Sequence, residues 1–260
     1  MKFLLDQPWA LFVATLSLLL IAAEAGARVA AATGLAQDDD RHEQLEHLRD
    51  WILIFLSLLL GFTLALAAPH FEYRSQLVIN EASAIRTTYL RTQTLPEPYR
   101  TNLGNALERY IDARLEALSS GGAQQRIEAA RASTKQIQDE MWSEYTRLTQ
   151  TDRSSVTAGF MESLTELTVL EGKESAALDY RVPVVVWVLV LFASVLGALS
   201  SGLAQRKRFW LATVTMPLMV ATVVALIDEF DSPRGGFLAV DVQKMSSLRA
   251  DIRASARPSE

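Results

Sequence analysis

The stretch WILIFLSLLLGFTLALAA, Trp51–Ala68, runs without a single charge. A bilayer's hydrocarbon core requires about 20 apolar residues of helix, and Trp51 stands where an interfacial anchor belongs. So long an uncharged run reads as a membrane span, here taken as about 51–70. Working outward, three more blocks qualify, at about 9–31, 182–204 and 209–228. Arg206-Lys207-Arg208 separates the last two, and Pro217 is expected to kink the final span because proline removes a ladder hydrogen bond.

The first block carries an ambiguity. Lys2, an apolar core and Ala23-Glu24-Ala25 also fit a signal peptide with an A-x-A site. Asp6 weakens that pattern, and the apolar run continues to Leu35. Glu24 and Arg28 stand at i,i+4 in the favourable order, so the pair can neutralise itself on one helix face. A retained span is the preferred reading.

Half of the 260 residues are hydrophobic and the net charge is −5. No basic stripe with interleaved aromatics marks a nucleic-acid partner. The absence of cysteine excludes disulfides, thiol nucleophiles and thiolate metal sites. Small residues recur every four positions in three spans: Ala22, Gly26, Ala30 and Gly34; Ser57, Gly61 and Ala65; Ser194, Ala198 and Gly202. That spacing lets helix backbones approach closely in lipid.

Residues 71–181 read as helix almost throughout. One apolar stripe is Leu103, Leu107, Tyr110 or Ile111, Leu115 and Leu118, ended by Ser119-Ser120-Gly121-Gly122. A second is Ile127, Ala130, Thr134, Ile137, Met141, Tyr145 and Leu148. A third is Val156, Phe160, Leu164, Leu167 and Leu178, with Thr151 or Asp152 as its cap. The expectation is an all-α membrane protein of four transmembrane helices with a long-helix bundle between spans 2 and 3. Its parts are a hairpin at 1–70, a water-facing bundle at 71–181, a second hairpin at 182–230 and a C-terminal tail at 231–260.

If the second span continues as one helix, Arg74, Leu77 or Val78, Glu81, Ile85 and Thr88 or Tyr89 share a face. Glu81 is then buried, and a buried carboxylate is costly unless paired. Arg86, Arg91, Arg109 and Arg114 are the candidate partners. The pair is either a structural lock or a functional acid near a permeation path.

Two acidic groups raise the question of metals. Asp228, Glu229 and Asp231 sit at a helix C-terminus, the unfavourable end of the dipole for acids. Arg234, another basic side chain, or calcium held with carbonyls of Gly235-Gly236 would offset them. In DDDRHEQLEHLRD, Asp38–Asp50, His42 pairs with Glu46 and Glu43 with His47 at i,i+4. A metal on His42, Glu46 and His47 would support a hydrolase, but the H-x-x-x-E-H order departs from the zinc motif. A solvated acidic loop without metal is preferred, no cofactor is expected, and a non-enzyme is the reading.

Arg74, NEASAI (Asn80–Ile85), YLR (Tyr89–Arg91), LPEPYR (Leu95–Arg100) and YIDARL (Tyr110–Leu115) resemble the bacterial bestrophin-like domain family. So do Glu24, Gly26 and Arg28 as E-x-G-x-R, and Asp231, Pro233 and Gly236 as D-x-P-x-x-G. The resemblance implies Arg74, Glu81, Tyr89 and Arg91 as junction residues. By its likeness to bestrophins it implies an anion channel, a homo-oligomer such as a pentamer, and a helical body on the cytoplasmic side of a bacterial inner membrane. Lipid and inorganic anions would be its partners, and Ser57, Gly61 and Ala65 would line the pore. The chain departs from bestrophins in two respects: Phe55 and Phe62 form no aromatic ladder on the second span, and no run of consecutive acids forms a calcium clasp. Basic residues on the two sides of the membrane nearly balance, so the cytoplasmic assignment rests on the resemblance.

Overall fold

The computed structural model describes residues 8–34, 39–119, 124–177, 180–206, 210–232 and 242–255. Among them are eight helices and no strand. They are α1 (Pro8–Thr33), α2 (Asp39–Thr92), α3 (Tyr99–Ser119), α4 (Gln124–Thr151), α5 (Ser155–Ala177), α6 (Val184–Leu203), α7 (Trp210–Asp231) and α8 (Val242–Ser255). Four helices are long and apolar enough to cross a membrane: α1, α2, α6 and α7. The chain divides into two compact units, Met1–Phe71 with Arg181–Phe237, and Glu72–Tyr180 with Leu238–Glu260.

Helix α2 has 54 residues and runs through Pro69 without a break. It supplies residues to both units. It begins earlier than expected. Residues of the acidic segment, read from sequence as a loop, form its first turns from Asp39 onward. The segment contains no glycine or proline, and Asp39 and Asp40 sit in the first turn, where acids meet the positive end of the helix dipole. His42 is buried there rather than solvated.

In the first unit α1 and α6 pack backbone to backbone. A Cβ built on Gly26 would run into the carbonyl oxygen of Leu199, and one on Gly202 into that of Ala23. Around this crossing Leu19, Ala22, Ala23, Leu56, Leu60, Val190 and Ala198 share a buried core with Val220 and Val224 of α7. Serine and threonine hydroxyls in these helices return to their own backbone, as Thr63 does to Leu59 and Ser194 to Val190 (both 2.7 Å). Gly34 closes α1 with φ +68°, a conformation that favours glycine. Helix α7 runs through Pro217.

The second unit gathers the far half of α2 with α3, α4, α5 and α8 around its own core. The stripe of α4 is buried at Ile127, Ala130, Thr134, Ile137, Met141 and Leu148, with Tyr145 stacked towards Phe160 of α5 (6.3 Å). On α5 the stripe is Thr157, Phe160, Leu164, Leu167, Leu170, Glu174 and Ala177. Val156, expected on it, is instead exposed. The N-terminal turn sets that rotation: the Ser154 hydroxyl accepts the Thr157 N–H (3.3 Å), and the Thr157 hydroxyl donates to Asp152 (2.8 Å). Thr157 therefore faces inward and its neighbour outward. Leu178 lies outside the described residues.

Within 231–260, read from sequence as a tail, α8 is an amphipathic helix. Met245, Leu248 and Ile252 are buried, and Arg249 and Arg253 pair with Asp112 of α3 at 2.6 and 3.0 Å.

Candidate functional site

The second unit encloses a charged cluster. Helix α2 arrives with Leu77, Val78, Ala82, Ala84 and Ile85 buried, and Glu81 stands in that face with no exposed surface. Burying a lone carboxylate costs several kcal/mol (about) unless it is paired and hydrogen-bonded. The neighbouring helices meet that demand in full. Arg114 of α3 donates Nε to Glu81 Oε1 at 2.7 Å and Nη2 to Glu81 Oε2 at 2.9 Å. This is the parallel two-bond fork that makes arginine–carboxylate pairs strong. One turn earlier on α3, the Tyr110 hydroxyl donates to Glu81 Oε1 at 2.8 Å.

The same Arg114 Nη2 also donates to Oε2 of Glu174, in the last turn of α5. Arg114 and Glu174 are both buried. One guanidinium therefore ties three helices together. Further along, α5 runs antiparallel to α2: the Thr88 hydroxyl lies 3.3 Å from the Ser163 carbonyl oxygen, and Arg91 Nη1 donates to the Gly159 carbonyl and lies 3.5 Å from Glu162.

The electrostatics follow from this geometry. Burial drives the Tyr110 phenol well above its ordinary range, and the Glu81 charge pushes it further, so Tyr110 stays a neutral donor. For Arg114, burial acts to lower the pKa, but the charge of Glu81 and its hydrogen bond prevail and hold it above the usual value. Arg114 is therefore a permanent cation inside the unit.

The residues singled out from sequence distribute as follows. Arg74 and Tyr89 are buried on the same face of α2 as Glu81, while Arg91 is part-exposed and reaches α5. Of the arginines considered for Glu81, Arg114 is the partner; Arg86 is exposed, Arg109 pairs with Glu140 (2.6 Å), and Arg91 turns to Gly159. Glu174 was missed. Its signal was present, since it stands seven residues after Leu167 on the apolar stripe of α5, as Glu81 does on α2.

In the first unit, Arg28 Nε donates to Glu24 Oε1 at 2.8 Å. Ser57, Gly61 and Ala65 lie on an uncovered line of α2, opposite the buried Leu56, Leu60, Thr63 and Ala67. Ser57 and Gly61 border an open apolar groove of about 590 Å³ between α2 and α7, with Leu53, Leu60, Met216 and Met219 among its walls. Its two hydroxyls are satisfied within their own helices, Ser57 to Ile54 (2.8 Å) and Thr215 to Leu211 (2.7 Å).

Of the acids ending α7, Asp231 Oδ1 accepts the backbone N–H of Val182 at 2.7 Å, just ahead of α6. Glu229 is buried. Arg234, Gly235 and Gly236, considered as their partners, lie outside the described residues. His42 Nε2 lies 3.4 Å from Glu46, and His47 Nε2 lies 3.8 Å from Glu43. Among the described residues no three histidine, aspartate or glutamate side chains converge as a metal set.

No curated protein and no solved structure matches the chain. The model of the bestrophin-like domain family matches residues 10–245, nearly the whole length, and the chain belongs to that family.

Proposed function

We propose, with membership of the bestrophin-like domain family as the premise, that this membrane protein is an oligomeric channel for inorganic anions. The observation that carries the reading is the family match across residues 10–245, which takes in all but the first residue of the four span candidates. Three features of the chain support it. Helix α2 is continuous from Asp39 to Thr92. Its Ser57, Gly61 and Ala65 are exposed. The helices of the second unit are locked to it by the Glu81–Arg114 fork.

In this reading subunits assemble, as a pentamer by analogy with bestrophins, in a bacterial inner membrane. The line of small residues on α2 faces the axis, and the second unit stands in the cytoplasm. Glu81 is a structural lock rather than a pore acid, because it has no exposed surface and all its bonds go inward. The protein carries out no chemistry, needs no bound metal, and takes no nucleic-acid partner.

Purified full-length protein in planar bilayers tests this. Unitary currents that reverse with a chloride gradient are expected, together with an oligomer mass in detergent. The rival reading is a non-conducting sensor or scaffold, favoured by Phe55 and Phe62 forming no aromatic ladder on α2. A silent bilayer together with a monomer or dimer in detergent would establish that rival.

A further inference from the structure

The cluster around Arg114 carries more acid than base. Glu81 and Glu174 both take hydrogen bonds from one guanidinium, so two carboxylates face a single positive charge. Glu171, on the same face of α5, adds a further negative potential felt at Arg114 and Tyr110. Tyr110 is neutral. On α2, Arg74 is a further buried charged group, two turns before Glu81 on the same face. With all carboxylates ionised, the Glu81–Arg114–Glu174 set holds a surplus of one negative charge in a site largely closed to water. Uncompensated buried charge is among the costliest things a fold can hold.

The two carboxylates are not equally provided for. Glu81 accepts three hydrogen bonds, two of them from the arginine fork. Glu174 accepts one, from a nitrogen it shares with Glu81. Glu174 also sits in the last turn of α5 (Ser155–Ala177), where the helix dipole disfavours an anion. Both asymmetries single out Glu174.

We propose that Glu81, Arg114 and Glu174 form a proton-responsive latch, in which one proton taken up on the Glu174 carboxylate cancels the surplus charge and loosens the end of α5 from α3. The step is simple protonation: a carboxylate becomes a carboxylic acid, and no other bond is made or broken. Glu81 keeps its fork on Arg114 throughout, so α2 and α3 stay joined. Only the tie to α5 changes, from a charge-assisted hydrogen bond to a neutral one. The proton belongs to the coupled set, and Glu174 is the site that holds it. This device stands whether or not the protein conducts.

Infrared spectroscopy and hydrogen exchange on the detergent-solubilised full chain test it. Between about pH 8 and about pH 5, the carbonyl band of a buried neutral carboxylic acid should grow in the wild type. It should be missing in E174Q, which is isosteric and keeps a hydrogen-bond acceptor. The protection factor of the amides at Glu171–Ala177, taken against their intrinsic exchange rate at each pH, should fall about fivefold over the same range, the step from a charge-assisted to a neutral hydrogen bond. In E174Q it should be low at every pH. E171Q should keep the band but move its midpoint to lower pH, because one neighbouring negative charge is gone. A band that survives E174Q, or that E171Q abolishes, places the proton elsewhere and overturns the proposal. So does a protection factor that is independent of pH, or one set by sodium or potassium concentration instead of by pH.

Discussion

Gly26 of α1 and Gly202 of α6 each lie against the backbone of the facing helix. The position of a Cβ on Gly26 is taken by Leu199 of α6, and that of a Cβ on Gly202 by Ala23 of α1. In lipid there is no hydrophobic gain in bringing two apolar helices together, so close packing and backbone approach must supply the attraction. The two glycines are what permits that approach.

Gly26→Ala and Gly202→Ala should therefore each destabilise the fold by about 1–3 kcal/mol, the usual cost of forcing atoms into a filled site. Gly61 has open space where its Cβ would stand, so Gly61→Ala should be near neutral for the folded subunit. Reversible unfolding in mixed micelles would measure all three. Equal stability of Gly26→Ala and Gly61→Ala would show that α1 and α6 do not meet this closely. Changed assembly in Gly61→Ala, with the subunit still folded, would instead mark its uncovered line as a contact between subunits.

The arginine fork makes a second prediction. Glu81→Ala leaves Arg114 with Glu174 as its remaining carboxylate partner and leaves Tyr110 without an acceptor. Glu81 is the acceptor of three buried hydrogen bonds, and stranding a buried donor costs about 1–3 kcal/mol, so Glu81→Ala should destabilise the fold by about 3–5 kcal/mol. Glu81→Gln keeps an acceptor for Tyr110 and should cost less. Arg114→Met should be at least as damaging as Glu81→Ala, since it strands two carboxylates. The double variant Glu81→Gln with Arg114→Met should recover part of the loss. Thermal unfolding followed by circular dichroism would rank the four, and identical stability of Glu81→Ala and wild type would refute the pairing.

Helix α8 holds to α3 through two kinds of contact of unequal strength. The Asp112 pairs with Arg249 and Arg253 are part-exposed, and pairs of that kind contribute about 0–1 kcal/mol. Ile252 is buried with Met245 and Leu248, and removing such side chains costs about 2–5 kcal/mol. Ile252→Ala should therefore release α8 into fast hydrogen exchange, while Arg253→Ala changes exchange little. Raising the salt concentration should not release α8 either. Release by salt alone would mean that the ion pairs, and not the apolar face, hold it.

The all-helical fold and its four span candidates were legible because apolar runs and helical stripes announce themselves by length and period. The Gly26 and Gly202 spacing pointed to close helix contact, and the place of Glu81 among Leu77, Val78 and Ile85 pointed to burial. Pairing between helices was not legible, since four arginines could have met Glu81 and only the register of α3 against α2 selects Arg114. Glu174 escaped for a related reason: an acid near a helix end looks like a surface residue until the stripe is followed through it. The acidic segment from Asp39 was read as loop on its polarity, although polarity without a breaker does not end a helix. Val156 was assigned to the core on period alone, and the turn at Asp152 and Ser154 shifted that period by one residue.

That turn provides the final prediction. Asp152 accepts the Thr157 hydroxyl at 2.8 Å, the Ser154 N–H at 2.9 Å and the Ser154 hydroxyl at 3.0 Å. The Thr157 bond first, then those from Ser154, hold its carboxyl below the ordinary aspartate value of 3.8. A folded-state pKa below the unfolded one means that the ionised form is favoured by folding. The contribution is fully present above pH 3.8, and it is lost as pH falls through the lower folded value. Asp152→Asn should therefore be less stable than wild type at neutral pH, and the difference should shrink under acid below that point. Thr157→Val, which removes the largest cause, should shift the wild-type acid transition upward while leaving Phe160 buried. A constant gap between Asp152→Asn and wild type across the whole acid range would show that the carboxylate's charge plays no part in starting α5.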